Sequence, residues 1–136
     1  MEHKTVHGIG GEVHYWISRV IHRTNEAIVF THGLTADHTM YEKQIEYFRN
    51  EYTVIVWDVP MHGLSMPYQN FSYENTARDL NSILQQECIE KVSLVGMSMG
   101  GYPSQMFAHL YPEKVKCFVG IGTTPFGTAY YSKSDL

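Results

Sequence analysis

Gly96-Met97-Ser98-Met99-Gly100 is the segment of this sequence best suited to covalent chemistry. A serine stands between two glycines, with an apolar run, Val92 to Gly96, leading into it and a helix-like run, Tyr102 to Tyr111, leading away. At a strand-to-helix corner a serine sits on a tight, strained turn, and the flanking glycines remove Cβ atoms that would meet neighbouring backbone. The hydroxyl is thereby pushed into the open. The helix start beyond it supplies free backbone N–H groups and a positive dipole end, which suits an oxygen that turns negative during acyl transfer. The same five residues also fit a small-residue turn around a buried serine, and the strand before and helix after favour the nucleophile.

The elements that must position this serine read as alternating strands and helices. Lys4 to His7 and Glu12 to Ile17 flank Gly10-Gly11, a turn pair that predicts a β-hairpin. Ala27 to Thr31 reads as a buried strand, Thr39 to Asn50 as a helix with Met40, Ile45 and Phe48 on one side, and Tyr52 to Trp57 as a strand. Ser72 suits a helix N-cap and Glu74 its positive end, with Ala77, Leu80, Ile83 and Leu84 forming the apolar stripe. Val92 to Gly96 is a further strand, Tyr102 to Tyr111 a helix stopped by Pro112, and Val115 to Ile121 the last strand. Strands separated by helices imply parallel crossovers. The class is therefore α/β, a hairpin followed by a mostly parallel sheet with helices on both faces.

Composition narrows the function classes. The 136 residues fit one domain, and 43% apolar against 18% charged residues suffices for a packed core. A net charge of −4 without basic clusters argues against a nucleic-acid binder. The N-terminal residues lack a leader pattern and no run is apolar enough for a membrane span, so a cytoplasmic protein is expected. Cys88 and Cys117 have no CxxC partner and read as two buried thiols. The histidines His32, His38 and His62 match no metal-ligand spacing, so no metal is implied.

Two further strings extend the reading. Thr31-His32-Gly33-Leu34 closes the Ala27 strand, and Asp58-Val-Pro-Met-His-Gly-Leu-Ser65 follows the Tyr52 strand. With Gly96 to Gly100, they make the chain resemble the α/β-hydrolase superfamily, in particular its esterase, lysophospholipase and aminopeptidase-like branches. The resemblance implies an acyl-enzyme on Ser98, an oxyanion hole from the backbone N–H groups of Leu34 and Met99, and no metal or organic cofactor. It makes Gly33, Gly96 and Gly100 supporting residues and His32 a loop-orienting residue. Asp58, His62 and Ser65 become structural, with short polar side chains bonding local backbone. Met61 departs from the family, where glycine is common. Ser72 to Leu84 resembles the second sheet-covering helix, and Leu110 to Thr123 the approach to a sixth strand. The implied substrate is a small-molecule ester, thioester or amide. Carbon–carbon bond hydrolysis and perhydrolysis on the same scaffold remain open.

A nucleophilic serine needs a base and an orienting acid, which follow it in this family. After Ser98 stand one histidine, His109, and two acids, Glu113 and Asp135. His109 lies eleven positions along the same predicted helix, about 16 Å away, against a hydrogen-bond reach of about 3 Å. No triad closes in family order. The family sheet has eight strands and this chain supplies about six, so residues 1–136 are expected to be the N-terminal part of a single domain, lacking the last two strands and lid. On this expectation the chain alone is inactive unless His32, His38 or His62 substitutes as base, and none has an evident orienting acid. Val115 to Ile121 becomes an apolar edge strand through which the chain can self-associate. The alternative is a non-catalytic hydrolase-like scaffold or interaction module that uses this open edge.

Overall fold

The computed structural model describes residues 1–20 and 25–125. The elements in chain order are β1 (Glu2–His7), β2 (Glu12–Ser18), β3 (Glu26–Thr31), α1 (Glu42–Phe48), β4 (Val54–Trp57), α2 (Tyr73–Gln86), β5 (Lys91–Met97), α3 (Gly101–Leu110) and β6 (Val115–Ile121). One six-stranded sheet runs β1-β2-β4-β3-β5-β6. The hairpin strands are antiparallel to each other and to β4, whereas β4, β3, β5 and β6 are mutually parallel. This is the α/β architecture that the strand and helix periodicities predict.

Alternation along the strands builds a core on each face. Val29, Ile55, Trp57 and Leu94 point to the side covered by Ala77, Leu80, Ile83 and Leu84 of α2 and Phe107 of α3. Phe30, Val54 and Val56 point to the other side, against Tyr41 and Ile45. Ser72 caps α2, its hydroxyl accepting the Asn75 N–H at 3.0 Å. The helix expected over Thr39 to Asn50 is shorter and begins with a tight turn, His38–Tyr41, because Asp37 caps the Thr39 N–H. Coverage thins towards β6. On the α1 face a hollow of about 450 Å³ is lined by Ile28, Phe30, Phe48, Tyr52, Val95 and Cys117.

Both cysteines depart from expectation, being exposed rather than buried. Cys88 follows α2 with φ at 58°, and Cys117 lies on β6, an edge strand with no neighbour on its outer side among the described residues. At the opposite edge the core admits a charge. Glu87 is buried and accepts hydrogen bonds from Lys4 Nζ at 3.0 Å, Arg19 Nη2 at 2.7 Å and the Tyr15 hydroxyl. Three residues of the hairpin region are thereby fastened to the end of α2.

Candidate active site

The parallel register fixes where the three sequence strings meet. Thr31 pairs with Gly96 and with Trp57, so the segments after β3, β4 and β5 leave the sheet at the same end. Ser98 follows β5 with φ at 52°, in the left-handed region that L side chains rarely adopt, and is exposed, while Met99 and Gly100 beneath it are buried. A short turn, Ser98–Gly100, leads into α3. The flanking glycines are required by close approach: a Cβ on Gly96 would lie 2.5 Å from the Gly100 carbonyl oxygen, and one on Gly100 would lie 2.3 Å from that of Thr31. Gly33 is looser, since its Cβ would sit 3.5 Å from Ser98 Cβ, ordinary contact. That same distance brings the loop bearing Leu34 beside the serine.

A residue with no role in the sequence reading braces this junction. The buried Tyr41 hydroxyl donates to the Thr31 carbonyl at 2.8 Å and also hydrogen-bonds the Met97 backbone, joining the ends of β3 and β5. Burial pushes this phenol up to about 12, so it stays protonated and able to donate. Tyr41→Phe is expected to cost about 1 kcal/mol of unfolding free energy with unchanged secondary structure, measured by urea titration. Trp57 adds a second tie, its Nε1–H donating to Thr31 Oγ1 at 2.9 Å.

His32 is buried, with its ring held between two backbone groups. Nε2 accepts the Val59 N–H at 3.0 Å, so Nδ1 carries the proton and donates to the Gly33 carbonyl at 2.8 Å. Desolvation lowers its pKa and favours the neutral ring. Neither nitrogen is left to take a proton from Ser98.

Asp58 organises the loop after β4. Its buried carboxylate accepts the His38 N–H at 2.8 Å and His38 Nδ1–H at 2.9 Å on Oδ1, and the Leu64 N–H at 2.9 Å on Oδ2. Ser65 Oγ donates to the Asp58 carbonyl at 2.7 Å and accepts the His14 N–H at 2.9 Å. His38 therefore does have an orienting acid, contrary to the sequence reading, because the loops after β3 and β4 fold together. Its ring stacks on Trp16, 3.5 Å between centroids. Trp16 and Val95 lie in one row across β2, β4, β3 and β5, three strand spacings or roughly 14 Å apart. His38 and Ser98 are thus on separate parts of the rim. The His62 ring is 5.1 Å from that of His32, with Nδ1–H donating to the Pro60 carbonyl at 3.1 Å.

Met61 explains the family's preference at its position. Its φ of 71° is in the left-handed region, where glycine pays no Cβ penalty. Met61→Gly is expected to raise stability by about 1 kcal/mol in the same urea assay. His109 is exposed in α3, Glu113 lies in the turn after it, and Asp135 is outside the described residues. Among the described residues no group of three or more His, Cys, Asp or Glu is placed to hold a metal ion.

A strained, exposed serine at a strand-to-helix corner, beside a His-Gly loop on a mostly parallel sheet, defines the class of α/β hydrolases. Residues 26–132 match the family described as alpha/beta hydrolase fold, and the chain belongs to that family. It is 37% identical over 75 residues to 3-oxoadipate enol-lactonase 1 of Acinetobacter baylyi, covering 55% of this chain and 28% of that protein. It is 34% identical over 107 residues to an sn-1-specific diacylglycerol lipase of Mus musculus, covering 77% and 35%. A thermophilic esterase from Thermogutta terrifontis, in a malate-bound structure, superimposes with a TM-score of 0.78 at 25% identity, covering 97% of this chain and 50% of that one. The chain thus spans about a third of these curated relatives and half of that structure. No described helix is long and apolar enough to cross a membrane.

Proposed function

We propose that Ser98 is the acyl-accepting nucleophile of a serine hydrolase acting on a small-molecule ester, thioester or amide. The observation that carries this reading is the exposed Ser98 at φ 52°, poised between β5 and α3. The backbone N–H groups of Leu34 and Met99, on the two segments that meet at Gly33 and Ser98, serve as oxyanion donors. His32 orients the first of these segments rather than acting as base, consistent with both its nitrogens being engaged by backbone. The triad base and acid come from outside these 136 residues, and the chain alone turns over poorly. Hydrolase names among the relatives support the reaction class.

The test is intact-mass analysis after exposure to an alkyl fluorophosphonate. Ser98 Oγ forms a bond to phosphorus, the P–F bond breaks, fluoride leaves and the hydroxyl proton passes to water or a base. One adduct mapped to Ser98, absent in Ser98→Ala, is expected. With the base outside these residues labelling is slow, and a folded chain modified at other residues while Ser98 stays free contradicts the reading.

A second reading draws on the β6 edge, where Val119 and Ile121 are exposed. Here the chain is a hydrolase-like scaffold that pairs with another copy through this strand. Light scattering that gives a monodisperse monomer at high concentration rejects it.

A further inference from the structure

His38 and Asp58 form a dyad for which the reading of Ser98 has no use. Asp58 Oδ1 accepts both the backbone N–H of His38 at 2.8 Å and its Nδ1–H at 2.9 Å, and a buried carboxylate that can only accept fixes the tautomer. The proton sits on Nδ1 and the lone pair on Nε2. Nε2 has no hydrogen-bond partner among the described residues, in contrast to His32, whose two nitrogens both meet backbone groups. The ring plane is held as well. It stacks on Trp16 at 3.5 Å and 16°, and His3 stacks on the same indole at 4.5 Å and 7°.

The dyad borders a hollow built wholly from elements of this chain. His38 lines a space of about 520 Å³ together with Trp16 of β2, Val56 of β4 and Ile45 of α1, on the hairpin side of the sheet and away from the β6 edge. Exposed Glu42 and Glu46 outnumber Arg49 around it, which favours an acyl group without negative charge. A histidine with a fixed tautomer, an orienting carboxylate and an open nitrogen has the parts of an activated nucleophile. Attack by Nε2 makes the ring cationic. Both neighbours favour that state, Asp58 as the anion on Nδ1–H and Trp16 through its π face.

We infer that His38 Nε2, oriented by Asp58, is a second acyl-accepting nucleophile that acts on activated esters or thioesters independently of Ser98. With p-nitrophenyl acetate, Nε2 bonds to the acyl carbon, the bond to the aryl oxygen breaks and p-nitrophenolate leaves. Water then attacks the acyl carbon, the bond to Nε2 breaks, and acetate and two protons are released. The test measures this hydrolysis by the 136-residue chain carrying Ser98→Ala. Its second-order rate constant is expected to exceed that of eight equivalents of free imidazole, one for each histidine of the chain, by about tenfold. It should fall to that baseline in Ser98→Ala/His38→Gln and stay unchanged in Ser98→Ala/His109→Gln, whose histidine is exposed on α3. A rate at the baseline in Ser98→Ala, or one that survives His38→Gln in a chain shown by circular dichroism to be folded, overturns the proposal. Diethyl pyrocarbonate reads the same nitrogen without substituting it, and decides alone if the glutamine chain unfolds. Nε2 attacks one carbonyl carbon of the reagent, and the leaving ethyl carbonate decomposes to ethanol and carbon dioxide. Peptide mapping of the Ser98→Ala chain is expected to find His38 modified first, and modification of other histidines ahead of it overturns the proposal. Both assays run without Ser98, so their failure leaves the reading of that serine untouched.

Discussion

Replacing Glu87 with glutamine is expected to remove about 3 kcal/mol of unfolding free energy at neutral pH, because it leaves a buried charge cluster without its anion. Lys4 and Arg19 approach the carboxylate at 3.0 and 2.7 Å, and Tyr15 donates its hydroxyl from beneath. Burial alone would raise the pKa of Glu87, but hydrogen bonds from Tyr15, Lys4 and Arg19 and the Lys4 charge outweigh it, and the group sits below its ordinary 4.5. A lowered folded pKa means that the unfolded chain takes up the proton first as pH falls. The stabilisation is therefore complete above about 4.5 and is lost as pH drops through the folded value. Urea titrations of the parent and Glu87→Gln chains should differ most at neutral pH and converge in acid. A gap that persists unchanged in acid would show that glutamine fails for steric reasons instead.

Asp58→Ala is expected to cost a similar amount, about 3 kcal/mol, and in addition to slow phosphonylation of Ser98. The carboxylate gathers donors from two loops, and its removal leaves the His38 and Leu64 N–H groups without acceptors and frees the segment that carries Leu34. Asp58→Asn keeps one acceptor oxygen and should fall between the parent and alanine chains in both measurements. If alanine lowers stability while the labelling rate of the folded fraction is unchanged, Asp58 does not hold the segment bearing Leu34.

The fold was legible because the periodicities are local. Val115 to Ile121 was bounded as observed, the hairpin turned at Gly10-Gly11, and Ser72 announced α2 through its own cap. The elbow at Ser98 was legible for the same reason, since strand, glycines and helix are contiguous. What escaped was assembled by tertiary folding. Tyr41 sits in a run whose spacing says only helix, and nothing in it shows a hydroxyl reaching β3 and β5. His38 and Asp58 are 20 positions apart, and only the crossing of two loops puts them 2.9 Å from each other. The cysteines were misread because a thiol is usually buried, whereas Cys117 stands on an edge strand and Cys88 just past a helix end.

The central claim is that Ser98 attacks an acyl carbon, and a pulse of p-nitrophenyl acetate tests it most directly. Attack forms the Ser98 Oγ–acyl bond, breaks the bond to the aryl oxygen and releases p-nitrophenolate. On the proposal that base and acid lie outside these residues, deacylation should lag behind acylation. Acid quenching followed by peptide mapping should find one acetyl group on Ser98 of the parent chain and none in Ser98→Ala. An acetyl group distributed over lysines and tyrosines of a folded chain, with Ser98 untouched, would contradict the account.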